Sequence, residues 1–491
     1  MSAGNRHLAL ALGYSLLLTF GLIFLDTHNL LSEEFHFLGA KGLIAAQGPD
    51  PRLSAIGYAF PPLLIYLTML LGSPITTQVL LVAGLVFWLG WLVAQLPCRP
   101  LWRRVILGML LFNPAFVVMV LTSPTWTAIS LFLGLSVLLY WQLIQPRDPH
   151  YPLSVNLVLL GLTLTPLMLL RYEFWWLLPV LMVVSWFALK ESYIPLKLTV
   201  VLVISFMPII AVLGFLYVNW LIAGDAFYFL QAPGNGLRWP EMGLWLTSAP
   251  GWQALAESLL WLAKTLPAYY VLAALTLWTG RHRWLPSALL LALPALLLAV
   301  MLWQGHFLPQ LASSGALVSL LPVMLLQGRQ WQPVQLLPIV AVLGLTLYSS
   351  GHLLASADLV PTEQVVWQQI AGPRESAGSG VRRWQQKQRA QQTIVQVLFE
   401  RLRPDQRILL DDAVNFSFIY LLHNPHLFVL PHQYEFNLAL TQPEEVVSYV
   451  LLRRGTDLEP SADQLQLDNL PLGGAFINIA SNDFYQLWQR Q

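Results

Sequence analysis

Long apolar runs separated by short polar segments occupy roughly the first 350 residues of the chain. Runs such as Leu8–Leu25, Ile75–Leu96 and Leu198–Trp220 approach the roughly 20 residues that an α-helix needs to cross a bilayer. Counting every such run up to Val334–Ser349 predicts about eleven membrane-spanning helices. The run Pro61–Leu71 is too short to cross, so we predict that it forms a re-entrant or interfacial helix.

The composition agrees with a polytopic membrane protein. Of the 491 residues, 56% are hydrophobic and 10% are charged, whereas about a quarter of the residues of a soluble globular chain are charged. The apolar run after Met1–His7 has no cleavage site, so we interpret it as a retained span. A net charge of +1 does not indicate nucleic-acid binding. The single cysteine, Cys98, excludes an intrachain disulfide.

From His352 the composition becomes that of a soluble protein. Arg407–Asp412 is predicted as a strand that ends in acids, Val414–Leu422 as a helix and Leu427–Leu430 as a second strand. A further helix and strand are predicted within residues 443–452. This alternation predicts a small α/β domain.

The predicted organisation is therefore a membrane domain over residues 1–350, with polar loops at 26–73 and 221–253, and an α/β domain over residues 351–491. With the amino terminus inside, nine basic residues fall in inner loops (Arg99, Arg103, Arg104, Arg147, Lys190, Lys197, Arg281, Arg283 and Arg329) and four in outer loops (Lys41, Arg52, Arg171 and Arg238). This orientation places both polar loops on the outer face, and an odd number of spans places the α/β domain there too. In a bacterial inner membrane this face is periplasmic.

The first polar loop brings acidic residues close to the membrane. Glu33, Glu34 and His36 lie on a predicted short amphipathic helix, on which Glu33, Phe37 and Lys41 share one face. A partly desolvated carboxylate there can accept a proton from a hydroxyl nucleophile, and the histidine can orient an acceptor or donate to a phosphate. The alternative is that these acids only cap and solvate an interfacial helix.

Basic residues near the outer face are candidates for binding a phosphate. Arg171 interrupts apolar sequence, so it can supply fixed positive charge, pair with Glu173, or reach the membrane interface. Lys41 and Arg52 are weaker candidates, and we predict that both are solvated.

Three further polar sites keep two interpretations each. Asp225 can be a second acid or a metal ligand, but a Gly-Asp pair is also ordinary turn chemistry. His306 can face the same outer-side cavity as the phosphate candidates, or form hydrogen bonds only within its own loop. Asp411 and Asp412 stand at a strand end, where α/β sheets often bind ligands, and we interpret them as structural or acceptor-contacting.

Two motifs bound the first polar loop, Glu33–Phe37 (EEFHF) and Tyr58–Leu63 (YAFPPL), and two more, Leu170–Phe174 (LRYEF) and Asn219–Leu230 (NWLIAGDAFYFL), follow later. Together they resemble C-type membrane glycosyltransferases. In the protein O-mannosyltransferase branch the first luminal loop begins Asp-Glu-x-His-Phe and closes on Pro-Pro-Leu, and the two later motifs are similar to elements of related bacterial proteins.

The resemblance implies an inverting transfer of a sugar from a polyprenyl-phosphate donor to a glycan, lipid or protein acceptor at the outer face. It implies that Glu33 is the general base, with Glu34 beside it. The candidate residues for binding donor phosphate or substrate are Arg171, His36, Lys41, Arg52, Tyr58, Asp225 and His306. A divalent cation is left open because some members of the family use one, but no set of metal ligands is expected.

The chain departs from the family pattern at several positions. Glu33 stands where Asp is usual, so its carboxylate lies one methylene further out. His36 and Phe60 stand where the aminoarabinose-transferase branch has an arginine and a lysine, and Ala226 replaces the proline expected after Asp225. These departures leave the sugar and the phosphate-binding residues open.

Two other classes of protein share this apolar composition. A transporter or flippase would carry acids in the middle of spans and show inverted repeats, whereas here the acids lie in predicted outer loops and no repeat is visible. A non-catalytic scaffold for envelope assembly is the third interpretation. The motifs favour the enzyme.

Overall fold

A computed structural model describes residues 3–57, 59–144, 153–188, 194–230, 252–279, 288, 292, 294–295, 311–327, 333–356, 360–372, 379–454, 467, 470, 472 and 474–491. This part of the chain is mostly helical, with one small sheet near the carboxyl terminus. It divides into two compact units: the first comprises Met1–Leu25, Gln78–Gly214 and Thr247–Gly372, and the second Asp26–Thr77, Phe215–Leu246 and Pro373–Gln491.

The α-helices are, in chain order, α1 (Ala3–Thr27), α2 (Glu33–Gln47), α3 (Ser54–Gly57), α4 (Pro62–Leu71), α5 (Pro74–Ala94), α6 (Pro100–Leu111), α7 (Pro114–Thr122), α8 (Pro124–Ile144), α9 (Leu153–Leu170), α10 (Leu177–Ala188), α11 (Ile194–Ala223), α12 (Trp252–Thr265), α13 (Pro267–Thr279), α14 (Leu311–Val318), α15 (Leu320–Gln327), α16 (Pro333–Ser356), α17 (Pro361–Ala371), α18 (Ser379–Arg401), α19 (Phe416–Leu422), α20 (Phe436–Thr441) and α21 (Pro443–Val446). Short 3-10 helices span Tyr172–Trp176, Tyr228–Leu230 and Pro425–Leu427.

Five of the described helices are long and apolar enough to cross a membrane: His7–Thr27, Pro74–Ala94, Pro124–Leu143, Ile194–Ala223 and Leu336–Leu354. Two bent pairs, Pro100–Leu111 with Pro114–Thr122 (51°) and Leu259–Thr265 with Pro267–Trp278 (99°), bring the number to seven if each pair is one span. The chain is therefore a multi-pass membrane protein. The predicted count of about eleven is not confirmed. One of the runs counted from the sequence, Leu285–Trp303, lies almost wholly outside the described residues.

In the first unit, polar side chains and small residues hold the apolar helices together. Gln78 of α5 donates to the carbonyl of Val120 at 2.6 Å and to the hydroxyl of Thr127 at 3.0 Å. Gly315 allows α14 to lie directly against α7, because a Cβ atom there would overlap the carbonyl of Ala115. Such contacts are typical of helices packed within a membrane, where apolar burial alone does not drive association.

The sheet of the second unit has the strand order β2-β1-β3-β5-β4, with β1 (Ile408–Leu409), β2 (Phe428–Val429), β3 (Tyr449–Arg453), β4 (Phe476–Ser481) and β5 (Tyr485–Arg490). The first three strands are parallel, and β5 pairs antiparallel with both β3 and β4. Along the chain, helices connect the parallel strands, so the predicted α/β arrangement is confirmed. The strands β1 to β3 lie where their sequences predict them.

The first polar loop belongs to the same unit as this sheet. Its helix α2 packs against α19 and against α4. Helix α4 starts at Pro62 and ends at Gly72, whose φ of 72° is the left-handed conformation that commonly closes a helix. A short helix is therefore present where Pro61–Leu71 predicts one, and its re-entrant or interfacial position stays a prediction.

Candidate active site

Helix α2 packs against α19 within the second unit. Its two acids stand in the first turn, where negative charge stabilises a helix. The His36 ring stacks on Tyr420 with 4.9 Å between centroids, and Phe37 meets Phe416 edge-on at 5.6 Å. Gly39 permits this approach, because a Cβ atom there would overlap the Tyr420 ring. Most of α2 is buried, so an interfacial helix solvated by its acids does not describe it.

Glu33 is a buried carboxylate that has one bonded and one unbonded oxygen. Its side chain is 6% exposed, and Oε1 accepts a hydrogen bond from Lys387 of α18. Oε2 has no hydrogen-bond partner among the described residues. Burial by itself would raise the pKa of Glu33, but the charges of Lys387 and Arg453 outweigh it and hold the pKa below its usual range. Glu33 is therefore ionised at neutral pH and able to accept a proton.

His36 is a neutral group in this environment. It is 1% exposed, and its Nδ1 lies 3.2 Å from the hydroxyl of Ser417. Burial lowers the pKa of His36 to about 4, even though the charge of Glu33 opposes the shift. The imidazole can donate or accept a hydrogen bond, but it does not bring fixed positive charge to a phosphate at neutral pH.

Lys41 is not solvated, and the prediction on this point was wrong. It is 1% exposed and forms an ion pair with Asp412, which follows β1. Burial would raise the pKa of Asp412, but the charges of Lys41 and His432 hold the pKa below its usual range. The loop after β1 covers this part of α2, and no local pattern in α2 reveals that cover. Of the two predicted acids at the strand end, Asp412 has a structural partner.

Arg171 lies in the first unit and engages Glu173 through both arms of its guanidinium. Nη2 is 2.5 Å from Oε1 and Nε is 3.1 Å from Oε2, and both side chains are 4% exposed. The predicted alternative of a structural pair is thus present. A phosphate at Arg171 would have to replace or share this carboxylate.

The other predicted positions are less enclosed. Arg52 is exposed and donates to the carbonyl of Ala46 at 3.1 Å. Asp225 is exposed, and its carboxylate accepts the backbone N–H of Phe227 at 2.9 Å, so it closes a turn. Glu34 is half-buried. Tyr58 and His306 lie outside the described residues.

Sequence reasoning missed Lys387, which lies 354 positions from its partner Glu33. It stands on a polar helix where glutamine and arginine surround it, and nothing local distinguishes it from a solvated lysine. Arg453 at the end of β3 was missed for the same reason. Within the part of the chain that the structure describes, no group of three or more His, Cys, Asp or Glu side chains is placed to hold a metal ion.

No protein-family model and no curated protein matches the chain. Among solved structures, it is similar to the cryo-EM structure of the arabinofuranosyltransferase AftD from Mycobacteria, with 14% identity and a TM-score of 0.38, over 99% of this chain and 40% of that one. A mutant of AftD gives 14% identity and a TM-score of 0.41, over 99% and 41%. The chain thus spans about two fifths of the length of AftD, and at these TM-scores we base no conclusion on the similarity.

Proposed function

We propose that this membrane protein is an inverting glycosyltransferase, which moves a sugar from a polyprenyl-phosphate donor to an acceptor at the periplasmic face of a bacterial inner membrane. The observation that carries the proposal is Glu33. The EEFHF motif, which resembles the start of the catalytic loop of C-type glycosyltransferases, contains a buried, ionised carboxylate with an unbonded oxygen.

In the proposed reaction, Glu33 Oε2 accepts the proton of the acceptor hydroxyl. The oxygen of the acceptor hydroxyl forms a bond to the anomeric carbon as the bond from this carbon to the phosphate oxygen breaks. Polyprenyl phosphate therefore leaves, and the configuration at the anomeric carbon inverts. Lys387 is a positioning residue, because its bond to Oε1 fixes the carboxylate and keeps it ionised. A positioned base of this kind contributes roughly 10²–10⁴-fold to a rate.

The low pKa of Glu33 makes it a weak base towards a free alcohol, but the acceptor hydroxyl becomes strongly acidic once its oxygen bonds to carbon. The proton transfer is therefore expected late in the displacement. The developing phosphate charge needs cations. Arg171, Lys41 and Arg52 stay the proposed phosphate-binding residues, and Tyr58, Asp225 and His306 stay further proposed substrate-binding residues. Of the three cations Arg52 is the exposed one, whereas a phosphate at Arg171 or Lys41 would have to replace or share the paired carboxylate. His36 and Glu34 are the proposed acceptor-orienting neighbours of Glu33.

The reaction can be identified with the full-length protein in lipid nanodiscs. Synthetic polyprenyl-phosphate pentoses and hexoses are supplied with a mixed acceptor fraction, with and without a chelator to test for a divalent cation. The expected result is release of polyprenyl phosphate by mass spectrometry and an inverted anomeric centre in the product by NMR. A retained configuration, or no turnover of any donor, would contradict the proposal.

A further inference from the structure

The carboxyl ends of β1 and β2 lie side by side at one edge of the sheet. The two strands are parallel, with Leu409 opposite Val429, so the chain leaves both strands in the same direction. We call the segments that follow the β1 loop (residues 410–415) and the β2 loop (residues 430–434). Because β2 and β3 lie on opposite sides of β1, the strand order reverses between β1 and β3, and open α/β sheets often bind ligands at such a crevice. The β1 loop borders this crevice, and the β2 loop lies on the other side of the β1 loop.

These two loops hold buried polar groups without partners. Asn415 is 1% exposed, and neither its Oδ1 nor its Nδ2 has a hydrogen-bond partner in the described part of the chain. It occupies the position before α19, yet its side chain makes no capping bond. Gln433 is 6% exposed, and its Nε2 has no hydrogen-bond partner among the described residues. The same holds for Nε2 of His432.

Such groups are unusual, because a buried donor or acceptor left unbonded costs about 1–3 kcal/mol. Three residues with such groups on adjacent loops at one sheet edge would be satisfied by a ligand that donates and accepts hydrogen bonds.

The charges at this edge favour an uncharged ligand. Lys41 and Asp412 neutralise each other in a buried ion pair. Burial lowers the pKa of His432 to about 4, with Asp412 opposing the shift, so its ring is neutral at neutral pH. Asn415 and Gln433 are amides. A phosphate would find no unpaired cation among these five side chains, and the guanidinium of Arg453, which donates to the carbonyl of Val414 in the β1 loop, interacts with the charge of Glu33. Sugar hydroxyls, which both donate and accept, match neutral amides and an imidazole.

An exposed aromatic residue follows these groups in the β2 loop. Tyr434 follows Gln433 directly and is 83% exposed. An aromatic face in this position offers a flat apolar surface to the C–H face of a sugar ring, as in many binding sites where an aromatic ring combines an apolar body with a polar tip. The β2 loop thus presents both hydrogen-bonding groups and a stacking surface.

We propose that this edge binds a glycan, with Asn415, His432 and Gln433 bonding to its hydroxyls and Tyr434 stacking on one sugar ring. The proposal rests on the proposed function and deepens it: of the three acceptor classes, it selects the glycan. The half-buried residues Ala413 and Val414 of the β1 loop and His432 of the β2 loop form the partly exposed part of this edge, and a ligand would enter there.

The test uses the full-length protein in nanodiscs and an array of immobilised pentose and hexose oligosaccharides of four to six sugars. Tyr434→Ala and Asn415→Leu are each expected to weaken glycan binding about tenfold, the loss of one stacking contact or of one buried hydrogen-bonded group. Phe399→Ala is the matched control, because Phe399 is also an exposed aromatic residue of this unit, at 65%. It is expected to bind as the wild type does.

Two further measurements separate a loss of glycan binding from unfolding of the variant and from failure of the proposed function. Asn415→Leu should unfold at the same or a higher temperature than the wild type, because its amide makes no bond in the protein. Binding of no oligosaccharide by the wild type, or binding by both variants as tight as that of the wild type, would overturn the glycan site. In that case the wild type would still release polyprenyl phosphate from the donor. If the proposed function is wrong instead, the wild type would release no polyprenyl phosphate, while the wild type and Glu33→Gln would still bind the glycan.

Discussion

Removal of one member of the buried Lys41–Asp412 ion pair should destabilise the second unit strongly. In Asp412→Asn the ammonium of Lys41, whose side chain is 2% exposed, loses its counter-charge and remains out of water. Breaking a buried pair in this way costs about 3–5 kcal/mol. Because about 1 kcal/mol shifts the unfolding temperature of a domain of 150–250 residues by about 2–4 °C, we expect a decrease of about 6–20 °C.

Thermal unfolding of the detergent-solubilised protein, followed by tryptophan fluorescence, measures this shift. Glu435→Gln is the matched control, since it removes the acid of the exposed Arg407–Glu435 pair, in which both side chains are more than two fifths exposed. Exposed pairs contribute about 0–1 kcal/mol, so the control should unfold within about 4 °C of the wild type. The double variant Lys41→Met/Asp412→Leu should recover much of the loss, because it leaves no unpaired buried charge.

The pH dependence gives the same pair a second signature. The pKa of Asp412 is lower in the folded than in the unfolded protein, so its stabilising contribution is present above the unfolded value and is lost as the pH falls below it. The wild type should therefore lose stability below about pH 4 more steeply than Asp412→Asn. An Asp412→Asn protein that unfolds at the temperature of the wild type would refute the buried pair.

Three further predictions concern single residues. Burial raises the pKa of Glu363, which accepts the first two backbone N–H groups of α14, from 4.5 to about 7. Its stabilising contribution is full below the unfolded value and is lost as the pH rises to the folded one, so Glu363→Gln should flatten the fall in unfolding temperature between about pH 4.5 and 7. Gly39→Val should lower the free energy of unfolding by about 1–3 kcal/mol, measured by thermal unfolding, because the valine side chain would overlap the Tyr420 ring. The pKa of His36 is lowered to about 4, so its contribution to stability is full above the unfolded pKa of about 6.5 and is lost as the pH falls from 6.5 to 4. His36→Gln should weaken this pH dependence of the unfolding temperature, and the exposed control His426→Gln should not.

The elements with strong local patterns could be predicted from the sequence. The strands β1 to β3 are short apolar runs between turn residues, and α4 is a short apolar run bounded by proline and glycine, so local preference and position agree. The count of spans could not be predicted in the same way. Residues 105–121 look like one apolar run, yet the helix breaks at Asn113, which caps α7, and the two pieces meet at 51°.

The candidate site was only half predictable. Glu33 and His36 stand out because acids near a membrane are costly, and their motif resembles a known loop. Lys387, the partner of Glu33, and Asp412, the partner of Lys41, come from more than 350 positions away, and both pairings depend on how α18 and the β1 loop pack on α2. Tertiary packing of this kind also reverses the expectation for Lys41, which looks like an ordinary solvated lysine in its local sequence.

The most direct test of the central claim is the single-turnover rate of sugar transfer by Glu33→Gln, with donor binding measured on the same sample. We expect the rate to fall by at least about 10²-fold while donor affinity is unchanged, because the amide cannot accept the proton. Glu33→Asp, the residue usual in the resembling family, should retain part of the rate, and the exposed control Glu400→Gln should retain all of it. Transfer by Glu33→Gln at the wild-type rate would contradict the assignment of Glu33 as the base.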